Sequence, residues 1–213
     1  MVDELTQELA KMNEEVYIIT PYYHKNKKGE TGYILSDGFK HLKNIDIWVD
    51  SVKITIGVFE GTYNRVKIYW LHHEMYFPTA YCGEDAAYVM RQLTTYAKGV
   101  LELLCQIQLF PSLIVTNDWF CGLIPGYLKV KRYGEVFNKT KCFHIAHNLD
   151  PLYEGRLYPK LSDGYLSSVH ELPNEYLIDP YWENLVINPS RCPFLTCDNW
   201  GTVSQSYKYE LLE

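Results

Sequence analysis

No stretch of the 213-residue chain approaches the roughly 20 consecutive apolar residues that a membrane-spanning helix requires. The most apolar long segment, residues 100–115, is broken by Glu102, Gln106, Gln108 and Pro111. Basic clusters are as scarce. No run of Lys or Arg exceeds Lys27-Lys28, and 26 acidic residues against 20 basic ones leave a formal charge of −6. A nucleic-acid groove or an anionic membrane surface needs a concentrated positive field, so neither is an expected partner. The amino terminus, Met1-Val2-Asp3-Glu4-Leu5, has no basic segment ahead of an apolar core and does not read as a secretory signal. CxxC pairs are absent too. The six cysteines, at 82, 105, 121, 142, 192 and 197, read as free thiols, several of them buried, in a reducing, cytoplasmic compartment. Cys192 and Cys197 match no structural zinc spacing, and adjacent His72-His73 on a strand point to opposite faces, so no metal is expected. GxSxG, GxxxxGK[ST] and GxGxxG are all missing, which removes support for a hydrolase elbow, a P-loop and a dinucleotide cleft.

What is present describes a folded globular protein, with 47% hydrophobic, 22% charged and 15% aromatic residues. Tyrosine is over-represented at 19 residues, and its flat ring with one hydroxyl suits sugar rings and half-buried packing alike. Residues 2–12 carry a helical stripe of Val2, Leu5, Leu9 and Met12, and residues 16–20 then read as a short buried strand stopped by Pro21. Residues 22–38 form a polar loop. Two runs, 52–59 and 66–71, flank Glu60-Gly61-Thr62-Tyr63-Asn64 and predict a peripheral antiparallel hairpin. The longest periodicity, over 84–109, predicts a helix ended by Pro111. A strand at 113–116, a helix over 119–131 containing Pro125, and a strand at 142–146 follow, then a proline-rich stretch to residue 195 with a weak helix near 175–181. A strand at 200–204 and a helix over 205–212 close the chain. Such alternation predicts an α/β fold with a mostly parallel sheet, helices on both faces, and residues 16–20, 113–116 and 142–146 side by side.

Ligands of open parallel sheets gather beyond the carboxyl ends of the strands. Three groups of residues sit there: Thr116-Asn117-Asp118-Trp119, His147-Asn148-Leu149-Asp150 and Thr202-Val203-Ser204. Asp118 reads either as the N-cap of the following helix or as a carboxylate facing a ligand, and Ser204 reads as an N-cap. His147 at a strand end reads either as a satisfied structural residue or as a functional one.

The strings Thr116-Asn117-Asp118-Trp119, Gly122-Leu123-Ile124-Pro125-Gly126-Tyr127, Phe143-His144-Ile145-Ala146-His147-Asn148-Leu149, Tyr153-Glu154-Gly155 and Thr202-Val203-Ser204-Gln205-Ser206-Tyr207 come in a fixed order. In that order they resemble the N-terminal half of the glycogen and starch synthases, glycosyltransferase family 5, across nearly the whole chain. The resemblance implies a Rossmann-like N-terminal domain of a GT-B glycosyltransferase. It also implies retaining transfer of glucose from ADP-glucose or UDP-glucose to the non-reducing end of an α-1,4-glucan, with the sugar nucleotide as substrate and no metal. Asp118 and His147 are implied to stand at the reacting sugar, with Trp119, Asn148, Tyr81 and Gly155 binding substrate. Departures are Phe120 where the family often has His, the segment around Pro78, and the extra Asp150-Pro151. The family's Lys-x-Gly-Gly loop and first strand would precede Met1, and its nucleotide-sugar domain would follow Glu213. Residues 1–213 are therefore expected to be a single acceptor-side domain, inactive without those parts, and plastidic if a transit peptide lies upstream. The other expectation is a non-catalytic glucan-binding or scaffold protein of the same fold.

Overall fold

The computed structural model describes residues 2–25, 38–80, 83, 85–150, 153–179 and 185–211. Most of the loop expected at 22–38, and Tyr81, lie outside the described residues. The chain divides into two compact units, Met1–Trp48 with Lys53–Cys82, and Val49–Val52 with Gly83–Glu213.

In the first unit, helix α1 (Val2–Lys11) precedes a four-stranded sheet of β1 (Tyr17–Pro21), β2 (Lys40–Val49), β3 (Val52–Tyr63) and β4 (Val66–His72), ordered β1-β4-β3-β2. The second half of strand β2 alternates, with Ile45, Ile47 and Val49 buried and the residues between them exposed. The expected hairpin forms between β3 and β4, antiparallel, with Tyr63 opposite Val66. Its turn falls on Asn64 and Arg65, at φ 48° and 69°, the paired positive values that a two-residue hairpin turn demands. Gly61, expected in the turn, instead lies within β3, where an added Cβ would meet the Phe39 ring at 1.8 Å.

One expectation fails here. β1 does not neighbour the strands near residues 113 and 142; it pairs in parallel with β4, Tyr17 beside Lys67. The Tyr17 ring lies nearly parallel to that of Tyr69, 6.3 Å away, and this contact belongs to the β1–β4 register.

The second unit holds a parallel three-stranded sheet of β5 (Leu113–Asn117), β6 (Lys141–Ala146) and β7 (Asn199–Thr202), in that order. Helix α2 (Ala86–Gln106) starts at Asp85, whose carboxylate accepts from the Tyr88 N–H at 2.8 Å. It packs on α3 (Leu123–Lys129) and α4 (Ser167–His170). Buried Lys98 of α2 donates to Glu171 at 2.7 Å, and Arg132 pairs with the same carboxylate. The helix expected over 119–131 is split: a 3-10 turn at Trp119–Cys121 comes first, which leaves Pro125 in the first turn of α3, where its missing N–H breaks no helical bond. The weak helix near 175–181 is a 3-10 turn at Asn174–Tyr176. Two further helices, α5 (Arg191–Thr196) and α6 (Gln205–Glu210), flank β7, and Ser204 caps α6 by accepting from the Tyr207 N–H at 3.1 Å. Among the described residues no helix is long and apolar enough to cross a membrane.

Candidate functional site

The parallel register sets Asn117 beside Ile145, so the chain leaving β5 and the chain leaving β6 emerge side by side. The Asp118 N–H donates to the Ile145 carbonyl at 2.9 Å and extends that pairing by one residue. Asp118 itself sits at φ 61° and ψ 177°, a region that side-chain-bearing residues avoid at a cost of about 1–3 kcal/mol. Its carboxylate makes no helix-cap bond, so the capping role is not filled. Oδ1 is buried with no hydrogen-bond partner. Burial raises the Asp118 pKa above the ordinary carboxylate value, opposed by the Trp119 backbone N–H and by the charge of His147.

His147 follows β6 directly, and its Nε2 lies 3.1 Å from Asn117 Oδ1. Beneath it, His144 is almost fully enclosed, with Nδ1 2.9 Å from Thr116 Oγ1 and its ring edge-on to Phe194. Burial, and then the neighbouring His147, push the His144 pKa down to about 4, so this imidazole is neutral at physiological pH. Asn148 folds back on its own loop, Oδ1 accepting from the Asp150 N–H at 2.9 Å. The Leu149 N–H donates to the Tyr207 hydroxyl, which ties the same loop to α6.

Trp119 lies over Gly155: a Cβ added there would meet Trp119 Cδ2 at 2.3 Å, and Gly155 has φ +73°. Only glycine fits both requirements. Asp118, Trp119, His147, Asn148 and Gly155 thus share the sheet end of the second unit, whereas Tyr81 falls outside the described residues.

Next to Gly155, buried Glu154 pairs with Arg156, accepts from Asn188 Nδ2 at 3.0 Å, and receives the Ser190 hydroxyl on its backbone oxygen at 2.7 Å. Arg156 also reaches Asp179 at 3.4 Å. These side chains, with Leu149, Arg191 and Phe194, line a cavity of about 260 Å³. Sequence reasoning gives no site role to Asn117, His144, Tyr207 or this ionic cluster. The adjacency of Asn117 to Asp118, and of Glu154 and Arg156 to Gly155, was the available signal. The described cysteines are free, and burial holds the thiols of Cys121 at about 11 and of Cys142 and Cys192 at about 12, which rules out a resting thiolate at these three.

Parallel strands with polar side chains massed beyond their carboxyl ends define the second unit as Rossmann-like, the architecture of GT-B glycosyltransferases. The same fold is found in a solved structure. The catalytic domain of starch synthase IV from Arabidopsis thaliana, solved with ADP and acarbose, matches all of this chain and 42% of that one, with a TM-score of 0.82 at 19% identity. Among curated proteins, the glycogen synthase of Geotalea daltonii is 28% identical over 214 residues, covering 98% of this chain and 42% of the relative. That of Thermotoga maritima is 31% identical over 149 residues, 68% of this chain and 29% of the relative. The starch synthase catalytic domain model matches residues 1–213. The chain belongs to the starch synthase catalytic domain family of glycosyltransferases, and it spans about two-fifths of the length of the relatives that match it throughout.

Proposed function

We propose that these 213 residues are one domain, the acceptor-side part of a retaining glucosyltransferase. It transfers glucose from ADP-glucose or UDP-glucose to the non-reducing end of an α-1,4-glucan. The observation that carries this reading is Asp118: a strained, uncapped, partly buried carboxylate with an unsatisfied oxygen, held beside His147 at the end of a parallel sheet. A carboxylate kept in such a position by its surroundings is suited to a ligand hydroxyl. As the glycosidic bond to the nucleotide breaks, positive charge grows on the anomeric carbon, and fixed polar groups stabilise it better than water, which must reorganise. Asp118 and His147 serve in that role. Trp119 offers a ring face to the sugar, Asn148 a polar edge, and Gly155 the space in which Trp119 lies. Tyr81, outside the described residues, is assigned to substrate binding on the family resemblance alone. The sugar nucleotide is a substrate held mainly by a further domain, and the reading assigns no metal. Free cysteines at 105, 121, 142, 192 and 197 support a reducing compartment, the cytoplasm.

The test is incorporation of glucose into glycogen from ADP-glucose and from UDP-glucose, by the 213-residue chain and by a form extended to the length of its relatives. The extended form should be active, the shorter one inactive, and His147→Ala in the extended form should cost about 10²–10³ in rate. Robust transfer by the 213 residues alone, or full activity of His147→Ala, overturns the reading.

A further inference from the structure

Asn117 is the last residue of β5, and among the described residues its side chain bonds through Oδ1 to His147 Nε2 at 3.1 Å. An amide oxygen can only accept, so the contact is a hydrogen bond only when Nε2 carries the hydrogen. In neutral His147 the lone pair then resides on Nδ1, and the ring plane is set by the direction of the Asn117 carbonyl. The bond is not needed to pair the strands. Asn117 already sits in register with Ile145, and the Asp118 N–H closes the ladder on the Ile145 carbonyl at 2.9 Å. Asp118 interacts with His147 through charge, and its Oδ1 makes no hydrogen bond. His144 is occupied by Thr116 Oγ1, and Asn148 Oδ1 is occupied by the Asp150 N–H.

We propose that Asn117 is a positioning residue for His147, holding the imidazole in one tautomer and one orientation with Nδ1 as its only acceptor. This rests on the reading of His147 as a group of the transfer site. Fixed hydrogen bonds to the second ring nitrogen of a working histidine are the usual means by which its tautomer and orientation are set. The β5–β6 ladder and the Asp118 N–H bond to the Ile145 carbonyl fix the backbone of Asn117 on both sides, so the amide is presented from a fixed point. The expected consequence is that Asn117 acts on the step through the histidine and touches no substrate.

The experiment reads the ring directly. Nitrogen-15 spectra of the His147 imidazole in the 213-residue chain, taken above pH 7, should show hydrogen on Nε2 and a protected Nε2–H. Asn117→Ala should speed exchange of that hydrogen about five- to tenfold, the effect of one lost hydrogen bond. Asn117→Asp, which keeps an acceptor oxygen of the same reach, should retain the protected signal. In the extended enzyme Asn117→Ala should lower kcat about tenfold with little change in KM, and Asn117→Asp should recover part of the loss. Hydrogen on Nδ1 in the unsubstituted chain, or unaltered exchange in Asn117→Ala, overturns the assignment even if turnover falls. A ring released by Asn117→Ala with unchanged turnover instead overturns the role given to His147.

Discussion

Acidification should destabilise the second unit through His144. This imidazole is 1% exposed, bonded to Thr116 Oγ1 at 2.9 Å and packed edge-on against Phe194, so a proton on it would sit in a place without water. Its folded pKa is depressed from 6.5 to about 4. Above pH 6.5 the ring is neutral in both folded and unfolded chains and pH has no leverage. Below 6.5 the unfolded chain takes up a proton that the folded one refuses until about pH 4, so stability falls as pH falls through that window. At about 1.4 kcal/mol per pH unit the full loss is about 3 kcal/mol, and at pH 5 it is about 2 kcal/mol. His72, His73 and His170 are also pushed down by burial and contribute with the same sign, whereas Asp118, pushed up, contributes with the opposite one. The measurement must therefore be differential. Urea unfolding followed by tryptophan fluorescence at pH 7.5 and pH 5 should show that His144→Gln loses about 2 kcal/mol less on acidification than the unsubstituted chain. Equal losses in the two proteins would refute the assignment of the slope to His144.

Asp118→Gly should relieve the backbone at φ 61° and raise stability by about 1 kcal/mol while abolishing binding of maltooligosaccharides, read by calorimetry; a less stable variant contradicts the strain argument. Glu171→Gln should lower stability by about 2 kcal/mol in urea, since it leaves buried Lys98 and its neighbour Arg132 facing each other without their shared carboxylate. Gly155→Ala should cost about 2 kcal/mol or more and shift tryptophan emission, because the new Cβ meets the Trp119 ring. Gly134→Ala, at a similar φ of +68° but with no atom within 4 Å, should cost about 1 kcal/mol and leave emission unchanged.

The elements with a strong local signal were legible in the sequence. Helix α2, strands β5 and β6, the β3–β4 hairpin and the Ser204 cap each follow from periodicity or from one capping side chain. Strand β2 was equally legible in the alternation of Ile45, Ile47 and Val49, and was overlooked beside a polar loop. The partner of β1 was not legible, because a fully apolar run carries no mark of which strand it will meet and the Tyr17–Tyr69 contact joins residues 52 positions apart. For the site, position after a strand was enough to bring Asp118 and His147 into view. The state of each was not, since the strain at Asp118 and the Asn117–His147 bond depend on the register between β5 and β6. The ionic cluster around Glu154 joins residues up to 36 apart in sequence, beyond the reach of any short motif.

The irregular stretch after β6 bears on any attempt to recombine this chain with its relatives. Leu157 exchanges backbone bonds with Ile187, the Asn188 N–H reaches the Leu177 carbonyl at 2.7 Å, Ser190 closes on Glu154, and the Tyr127 hydroxyl caps the His170 carbonyl at 2.7 Å. Each staple links a residue before about position 180 to one after it, or a helix to the loop, so no crossover point between 154 and 191 leaves the set whole. A chimera spliced inside that interval would split at least the Ser190–Glu154 staple, while one spliced before α3 or after α5 would inherit all of the staples as a block. The segment that looks most like dispensable connection is the one that must be exchanged entire.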